Sequence, residues 1–281
     1  MIVVTGATGN IGRPLVQALT AAGEQVTAVS RHPAEGEAPQ GVRYAQADLA
    51  DSENLRPVLE GADALFILLA GELLMGGESP SNLLDVAKAG GVRRVVLLSS
   101  QATGTRPGAV SHARLHAFEE AVKESGLDWT ILRPGGFATN AYAYAETVRG
   151  TRTVVAPFGD VALPVIDPAD IAEVAAVTLR EDGHAGRTYE LTGPEAVSPR
   201  GQAKAIGDAL DAEVLFVELN RDDARTHMLQ FMPEPVVDGT LDILGEPTPA
   251  EQRVSPDVER ILGRAPHTFA EWAARNAAAF A

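Results

Sequence analysis

Residues 5–12, Thr5-Gly6-Ala7-Thr8-Gly9-Asn10-Ile11-Gly12, constrain the fold of this 281-residue chain more than any other stretch. They follow the apolar run Ile2-Val3-Val4 and precede residues 13–22, where Leu15, Val16 and Leu19 recur at helical spacing. Strand, glycine-rich turn and helix is the order in which the free amides of a helix start can hold a diphosphate. In that reading Gly6 permits a tight turn, Gly9 lets the ligand approach the backbone, and Gly12 allows the helix to pack closely on the strand. A glycine-rich turn without a ligand is the alternative.

The rest of the first half repeats the alternation. Short apolar runs at 25–30, 42–44, 64–69, 94–99 and 129–132 read as strands, and the segments 55–60, 82–89 and 112–125 read as helices, most of them closed by glycine. Strands apolar along their whole length are buried on both faces, and strands that alternate with helices pair in parallel. This predicts an α/β, Rossmann-type doubly wound parallel sheet, whose ligands sit at the carboxyl ends of the strands where the strand order reverses. After Pro134 the rhythm loosens. A strand is expected over 161–166, a helix over 171–179 capped by Asp170, a strand over 188–191, a helix over 200–210 and a strand over 214–219. Pro-interrupted helices follow from 221. The expected division is a dinucleotide-binding core over 1–135, then 136–281 supplying the remaining sheet strands and a small C-terminal substrate lobe, all in one compact unit. Residues 34–39 read as a solvated loop.

Charge and composition narrow the function. There are 23 Lys plus Arg against 38 Asp plus Glu, a formal charge of −15. Such a surface repels phosphate backbones and anionic membranes, so neither nucleic acid nor membrane is an expected partner. The chain has no Cys, which excludes disulfides, thiolate catalysis and Cys-based metal sites. The apolar stretch 64–70 is far short of the roughly 20 residues of a membrane helix, and no targeting segment is visible, so a soluble, cytoplasmic protein is expected.

The glycine spacing is Gly-x-x-Gly-x-x-Gly, and further segments accompany it: Ala47-Asp48-Leu49, the run Val92-Arg93-Arg94-Val95-Val96-Leu97-Leu98-Ser99-Ser100, the segment Ser125-Gly126-Leu127-Asp128-Trp129-Thr130-Ile131-Leu132-Arg133-Pro134-Gly135-Gly136-Phe137, and residues 164–172 and 256–272. Together they resemble the NmrA-like subgroup of atypical short-chain dehydrogenase/reductases over nearly the whole chain. The resemblance implies a nicotinamide dinucleotide held by Gly6, Thr8, Gly9, Asn10, Ile11 and Gly12, with Asp48 and Leu49 at the adenine, the backbone of Ala70 and Gly71 along the adenosine ribose, and Pro134 beside the cofactor. An acidic residue about 20 positions after the glycines would favour NAD(H). Here Ser30 and Arg31 stand at the strand end instead. Arg31 can pair with a ribose 2′-phosphate and Ser30 can donate to it, which favours NADP(H) over NAD(H). A solvent-facing Arg31 is the other reading.

Reductases of this family usually carry Ser or Thr followed by Tyr-x-x-x-Lys. Ser100 stands in the Ser place, but His112 stands where the Tyr is expected and His116 where the Lys is expected. Lys123 lies about two helical turns beyond His116 and cannot substitute locally. Ser100, His112 and His116 are the catalytic candidates. His112 is read as a general acid, as a polar wall or as a packing residue. The two imidazoles have no evident third ligand, so no metal is expected. Phe137, Asn140, Tyr142, Tyr144, Phe158, His227, Met228, Phe231 and Met232 are candidate substrate walls, with simple core as the competing role. Asp167 and Asp170 read as structural. The leading expectation is an NADPH-dependent oxidoreductase acting on a small-molecule ketone or quinone, a polycyclic aromatic polyketide ketone among them. The alternatives are a non-catalytic NADP-binding regulator of the NmrA type and a fold-sharing catalyst of a non-redox step. A homodimer is compatible with the sequence.

Overall fold

The computed structural model describes residues 1–32, 38–74 and 76–281. Residues 34–37 of the expected loop lie outside the described residues. The chain divides into two compact units: Met1–Pro107, His112–Pro134 and Pro168–Glu190 form the first, and Gly108–Ser111, Gly135–Asp167 and Leu191–Ala281 the second. The division is not linear in sequence. Residues 168–190, which the sequence-based boundary at 135 placed with the second half, belong to the first unit.

In the first unit β1 (Ile2–Thr5), β2 (Val26–Ser30), β3 (Val42–Gln46), β4 (Ala64–Leu68), β5 (Arg94–Leu98), β6 (Asp128–Pro134) and β8 (Arg187–Leu191) form a sheet in the order β3-β2-β1-β4-β5-β6-β8. The ladders from β3 to β6 are all parallel. Strand order reverses between β1 and β4, which places the crevice for a ligand above their carboxyl ends. Thr5 ties that seam. Its buried hydroxyl donates to the Phe66 carbonyl at 2.9 Å and accepts from the Leu68 amide at 3.0 Å.

The central strands are apolar on both faces because both faces are covered. On one side α2 (Arg56–Leu59), α3 (Pro80–Ala89) and α5 (Ala113–Glu124) bury Leu59, Leu84, Leu115, Phe118 and Val122 against Val3, Leu65, Ile67, Val95, Leu97 and Ile131. On the other lie α1 (Gly12–Ala21) and α7 (Pro168–Arg180), which pack on each other. A short helix, α4 (Gln101–Thr105), follows β5.

In the second unit β7 (Thr153–Pro157) and β9 (Leu215–Leu219) make a two-stranded parallel sheet. The helices α6 (Ala145–Thr151), α8 (Pro199–Leu210) and α12 (Phe269–Arg275) accompany it, and a core of Val148, Val154, Ile206, Phe269, Trp272 and Phe280 results. A smaller cluster forms where α9 (Arg221–Met228) meets α10 (Glu234–Gly245). The last helix pair is completed by α11 (Asp257–Leu262).

Two expectations for the second half require correction, and two elements were not foreseen. Residues 161–166 are not a strand. Leu163 and Ile166 make only isolated bridges, to Val197 and Phe137, because Pro164 between them removes a ladder donor. Asp170 is not a helix cap but lies buried inside the first turn of α7, which begins two residues earlier at Pro168, whose fixed φ suits a helix start. The strand β7 and helix α6 carry no strong periodicity and went unread. Among the described residues no helix is long and apolar enough to cross a membrane.

Leu97 is fully buried in the centre of the sheet. Leu97→Ala is expected to destabilise the protein by about 2–5 kcal/mol, read as a lower urea midpoint at unchanged slope.

Candidate active site

The turn after β1 is shaped by one close approach. A Cβ added at Gly12 would lie 2.1 Å from the Gly6 carbonyl oxygen and 2.6 Å from the Ala7 Cα, so α1 begins directly on the turn only because position 12 has no side chain. Gly6, at φ 65°, reverses the chain. The Ala7 amide bonds to Val29 O, Gly9 to Gly6 O and Arg13 to Gly9 O. Among the described residues the amides of Asn10, Ile11 and Gly12 meet no acceptor. The Ile11 cap position makes no side-chain hydrogen bond, and the first turn of α1 holds no acid. Gly9 and Asn10 are exposed, Thr8 is half-buried and Ile11 buried. Acceptor-free amides at the positive end of a ten-residue helix whose first turn holds no acid fit a dinucleotide diphosphate.

The next strand ends supply the remaining cofactor candidates. Arg31 is exposed beyond β2, and both terminal nitrogens of its guanidinium would lie 4.0 Å from a Cβ on Gly71, so the side chain reaches across the carboxyl edge toward the end of β4. Its carbonyl accepts from Gln46 Nε2 at 2.9 Å. Ser30 donates its hydroxyl to the His32 carbonyl, a local use that competes with a ligand. Asp48 is exposed after β3, where one carboxylate oxygen accepts from the Ala50 amide, and Leu49 packs against the core. Ala70 and Gly71 are exposed, and Pro134 is buried at the end of β6. The structure thus gathers these candidates at one edge of one sheet.

Ser100 caps α4, its Oγ accepting from the Ala102 amide at 3.3 Å. As an acceptor there, the hydroxyl keeps its hydrogen free to donate elsewhere. The two histidines do not share a helix as the i, i+4 pattern suggested. His112 ends a short 3₁₀ turn and occupies the cap position of α5, half-buried, while His116 lies inside α5 and is exposed. Among the described residues no group of three or more His, Asp or Glu side chains could hold a metal.

Below Ser100 lies a constellation that the sequence reading passed over. Glu119, fully buried on α5, accepts from Ser99 Oγ at 2.6 Å, Arg133 Nε at 2.9 Å and Arg133 Nη2 at 2.5 Å. Burial opposes its ionisation, but the Arg133 and Ser99 hydrogen bonds overcome it and hold the carboxyl below its ordinary range. A Glu among apolar positions on a helix expected to be buried was the available signal.

In the second unit the candidate walls separate into groups. Phe158 takes φ 55°, a left-handed conformation that costs a bulky residue on the order of 1–3 kcal/mol. Its ring packs with Met228, Met232 and Leu219 against Ala224, Val237 and Leu241. His227 meets Phe231 edge-on at 5.6 Å, and Phe231 is 62% exposed. Tyr142 lies against the core but stays 37% exposed: its ring lies 5.2 Å from Trp272 and 6.1 Å from Phe280, and its hydroxyl donates to Asn276 Oδ1 at 2.6 Å. Tyr144 packs on the same cluster, and burial pushes its phenol up. Phe137 bridges to Ile166, and Asn140 is exposed.

Comparison with known proteins gives a consistent picture. Residues 6–182 match the NAD(P)H-binding family. The chain is 35% identical to (4-alkanoyl-5-oxo-2,5-dihydrofuran-3-yl)methyl phosphate reductase of Streptomyces griseus, over 100% of this chain and 99% of that one. It is 32% identical to an NAD(P)H azoreductase of Xenophilus azovorans, again over 100% and 99%. Among solved structures, an NADPH-dependent quinone oxidoreductase of Escherichia coli complexed with NADPH superposes with a TM-score of 0.83 at 26% identity, over 98% of this chain and 99% of that one.

Gly12→Ala should force α1 off the turn, costing about 1–3 kcal/mol of stability and scattering the free amides. Nicotinamide dinucleotide affinity, measured calorimetrically, is expected to fall by about tenfold or more.

Proposed function

The chain belongs to the NAD(P)H-binding family, and on that premise we propose that it is an NADPH-dependent reductase of conjugated carbonyl compounds, quinones foremost, in the NmrA-like branch of atypical short-chain dehydrogenase/reductases. The single observation that carries the reading is the acceptor-free turn of Asn10, Ile11 and Gly12 at the seam between β1 and β4. Reductases among the relatives that span the full length support it. The activated, unsaturated acceptors in their names suit a site that lacks the family Tyr and Lys, since a conjugated acceptor depends less on a strong proton donor.

The roles follow from position. The amides of residues 10–12 hold the diphosphate, and Arg31 pairs with the 2′-phosphate that distinguishes NADPH from NADH. Asp48, Leu49, Ala70 and Gly71 line the adenosine, and Pro134 stands at the nicotinamide end. NADPH, when bound, supplies a hydride. The Ser100 hydroxyl, capping α4 with its oxygen, donates its hydrogen toward a substrate oxygen at the carboxyl end of β5. His112, at the start of α5, is the further candidate to pass a proton, and exposed His116 is the weaker one. Phe158, Met228 and Phe231 supply apolar surface for a planar ring, with Phe137, Asn140 and His227 as further wall candidates. Tyr144 packs on the core of the second unit, and exposed Tyr142 stays a wall candidate. Cytoplasmic location and a homodimer remain parts of this proposal.

Purified protein given NADPH and a panel of naphthoquinones, butenolides and aromatic ketones should consume the reduced nicotinamide with at least one of them. Tight NADPH binding without oxidation across the panel would support the regulator instead. Arg31→Ala is expected to weaken NADPH by about tenfold while leaving NADH nearly unchanged, and equal losses would remove the 2′-phosphate assignment.

A further inference from the structure

The buried Glu119–Arg133 pair has no place in the cofactor or proton steps above. It is also a poor device for stability, since burying two charges costs nearly what their attraction returns, and apolar groups of equal volume often serve as well. What the pair supplies, and apolar groups cannot, is direction. A carboxylate that accepts from Ser99 Oγ, Arg133 Nε and Arg133 Nη2 fixes three groups from two strand ends relative to α5. Lys123 Nζ stands 3.7 Å from the same carboxylate on the outer side.

Both strands it holds end in the candidate site. Ser99 immediately precedes Ser100, and Arg133 immediately precedes Pro134. Ser100 has an extended backbone, at φ −145° and ψ 147°, so its side chain and that of Ser99 leave opposite faces of the chain. Moving one therefore moves the other. The helix that Ser100 caps is held from below as well. Ser99 Oγ lies 3.2 Å from Thr103 Oγ1, and a Cβ on Gly104 would stand 2.4 Å from Arg133 Nη1, so α4 rests directly on the guanidinium. The residue that offers its hydroxyl is thus gripped on both sides, by Ser99 before it and by the Thr103–Gly104 turn after it, and both grips lead to one carboxylate.

We propose that Glu119 is a positioning residue, which through Ser99 and Arg133 fixes the Ser100 hydroxyl at the carboxyl edge of the sheet. The proposal rests on the reductase reading for its kinetic test but not for its structural one. Glu119→Gln keeps the volume and removes the charge. With NADPH and a soluble naphthoquinone, kcat should fall by about 10-fold to 100-fold, the scale on which small misplacements of a reacting group act. KM for NADPH should stay within about twofold, because the amides of residues 10–12 are untouched. In a Ser100→Ala background the same substitution should cost nothing further, since a residue that acts only through Ser100 has nothing left to position. Wild-type kcat in Glu119→Gln, or a full additional loss in the Ser100→Ala background, overturns the proposal. If Glu119→Gln does not fold, the paired apolar replacement Glu119→Met with Arg133→Leu takes its place. Reduced kcat in that folded double variant supports positioning, and wild-type kcat overturns it. Amide hydrogen exchange of residues 99–104 reads the same idea without turnover. Exchange there should quicken by about tenfold or more in the variant while β1, β2 and β4 keep their protection, and unchanged exchange overturns the proposal even if the protein reduces none of the panel.

Discussion

The contact between α1 and the Gly6 carbonyl is the constraint from which the rest of the first unit follows. Helix and strand touch backbone to backbone, and the helix must then rise from the sheet edge with its first amides pointing outward. The Thr5 hydroxyl, bonded to both sides of the β1–β4 seam, holds the strands below that helix at a set spacing. With those two contacts made, the place where strand order reverses is also the place where donors lack acceptors, and an anion completes what the backbone leaves open.

This local arrangement works against the charge of the whole chain. A net charge of −15 discourages the approach of any anion from afar. Screening at physiological salt confines that penalty to within about 8 Å of each charge, whereas amide dipoles act on what touches them. The absence of acids from the first turn of α1 and the reach of Arg31 over Gly71 leave a small non-acidic window in an acidic surface. Long-range charge therefore weighs against polyanions and says little about a dinucleotide.

What the sequence disclosed followed how locally each feature is encoded. The central parallel strands β1, β4 and β5 were legible because burial on both faces leaves an apolar run, and the nucleotide turn because its glycines answer to sterics within eight residues. The second half was less so. The strand β7 is a largely apolar five-residue run outside the strand–helix alternation of the first half, residues 161–166 look extended yet are interrupted by Pro164, and Pro168 begins a helix that Asp170 was expected to cap. The Glu119–Arg133 pair joins residues far apart in sequence, and no periodicity announces it. Aromatic spacing cannot tell a pocket from a core, and Tyr142, read as a wall residue, keeps a partly exposed ring whose partner Trp272 lies in the last helix.

Arg31, the proposed contact for the 2′-phosphate, differs from Gly6, Gly12 and Thr5 in what supports it. It is solvent-exposed, and its backbone carbonyl accepts from Gln46 Nε2. The glycines and Thr5, by contrast, are bound up with folding itself. If Arg31 selects the cofactor as proposed, discrimination between the two dinucleotides is a replaceable fitting on a permanent frame: one projecting side chain could be exchanged with the scaffold beneath left intact.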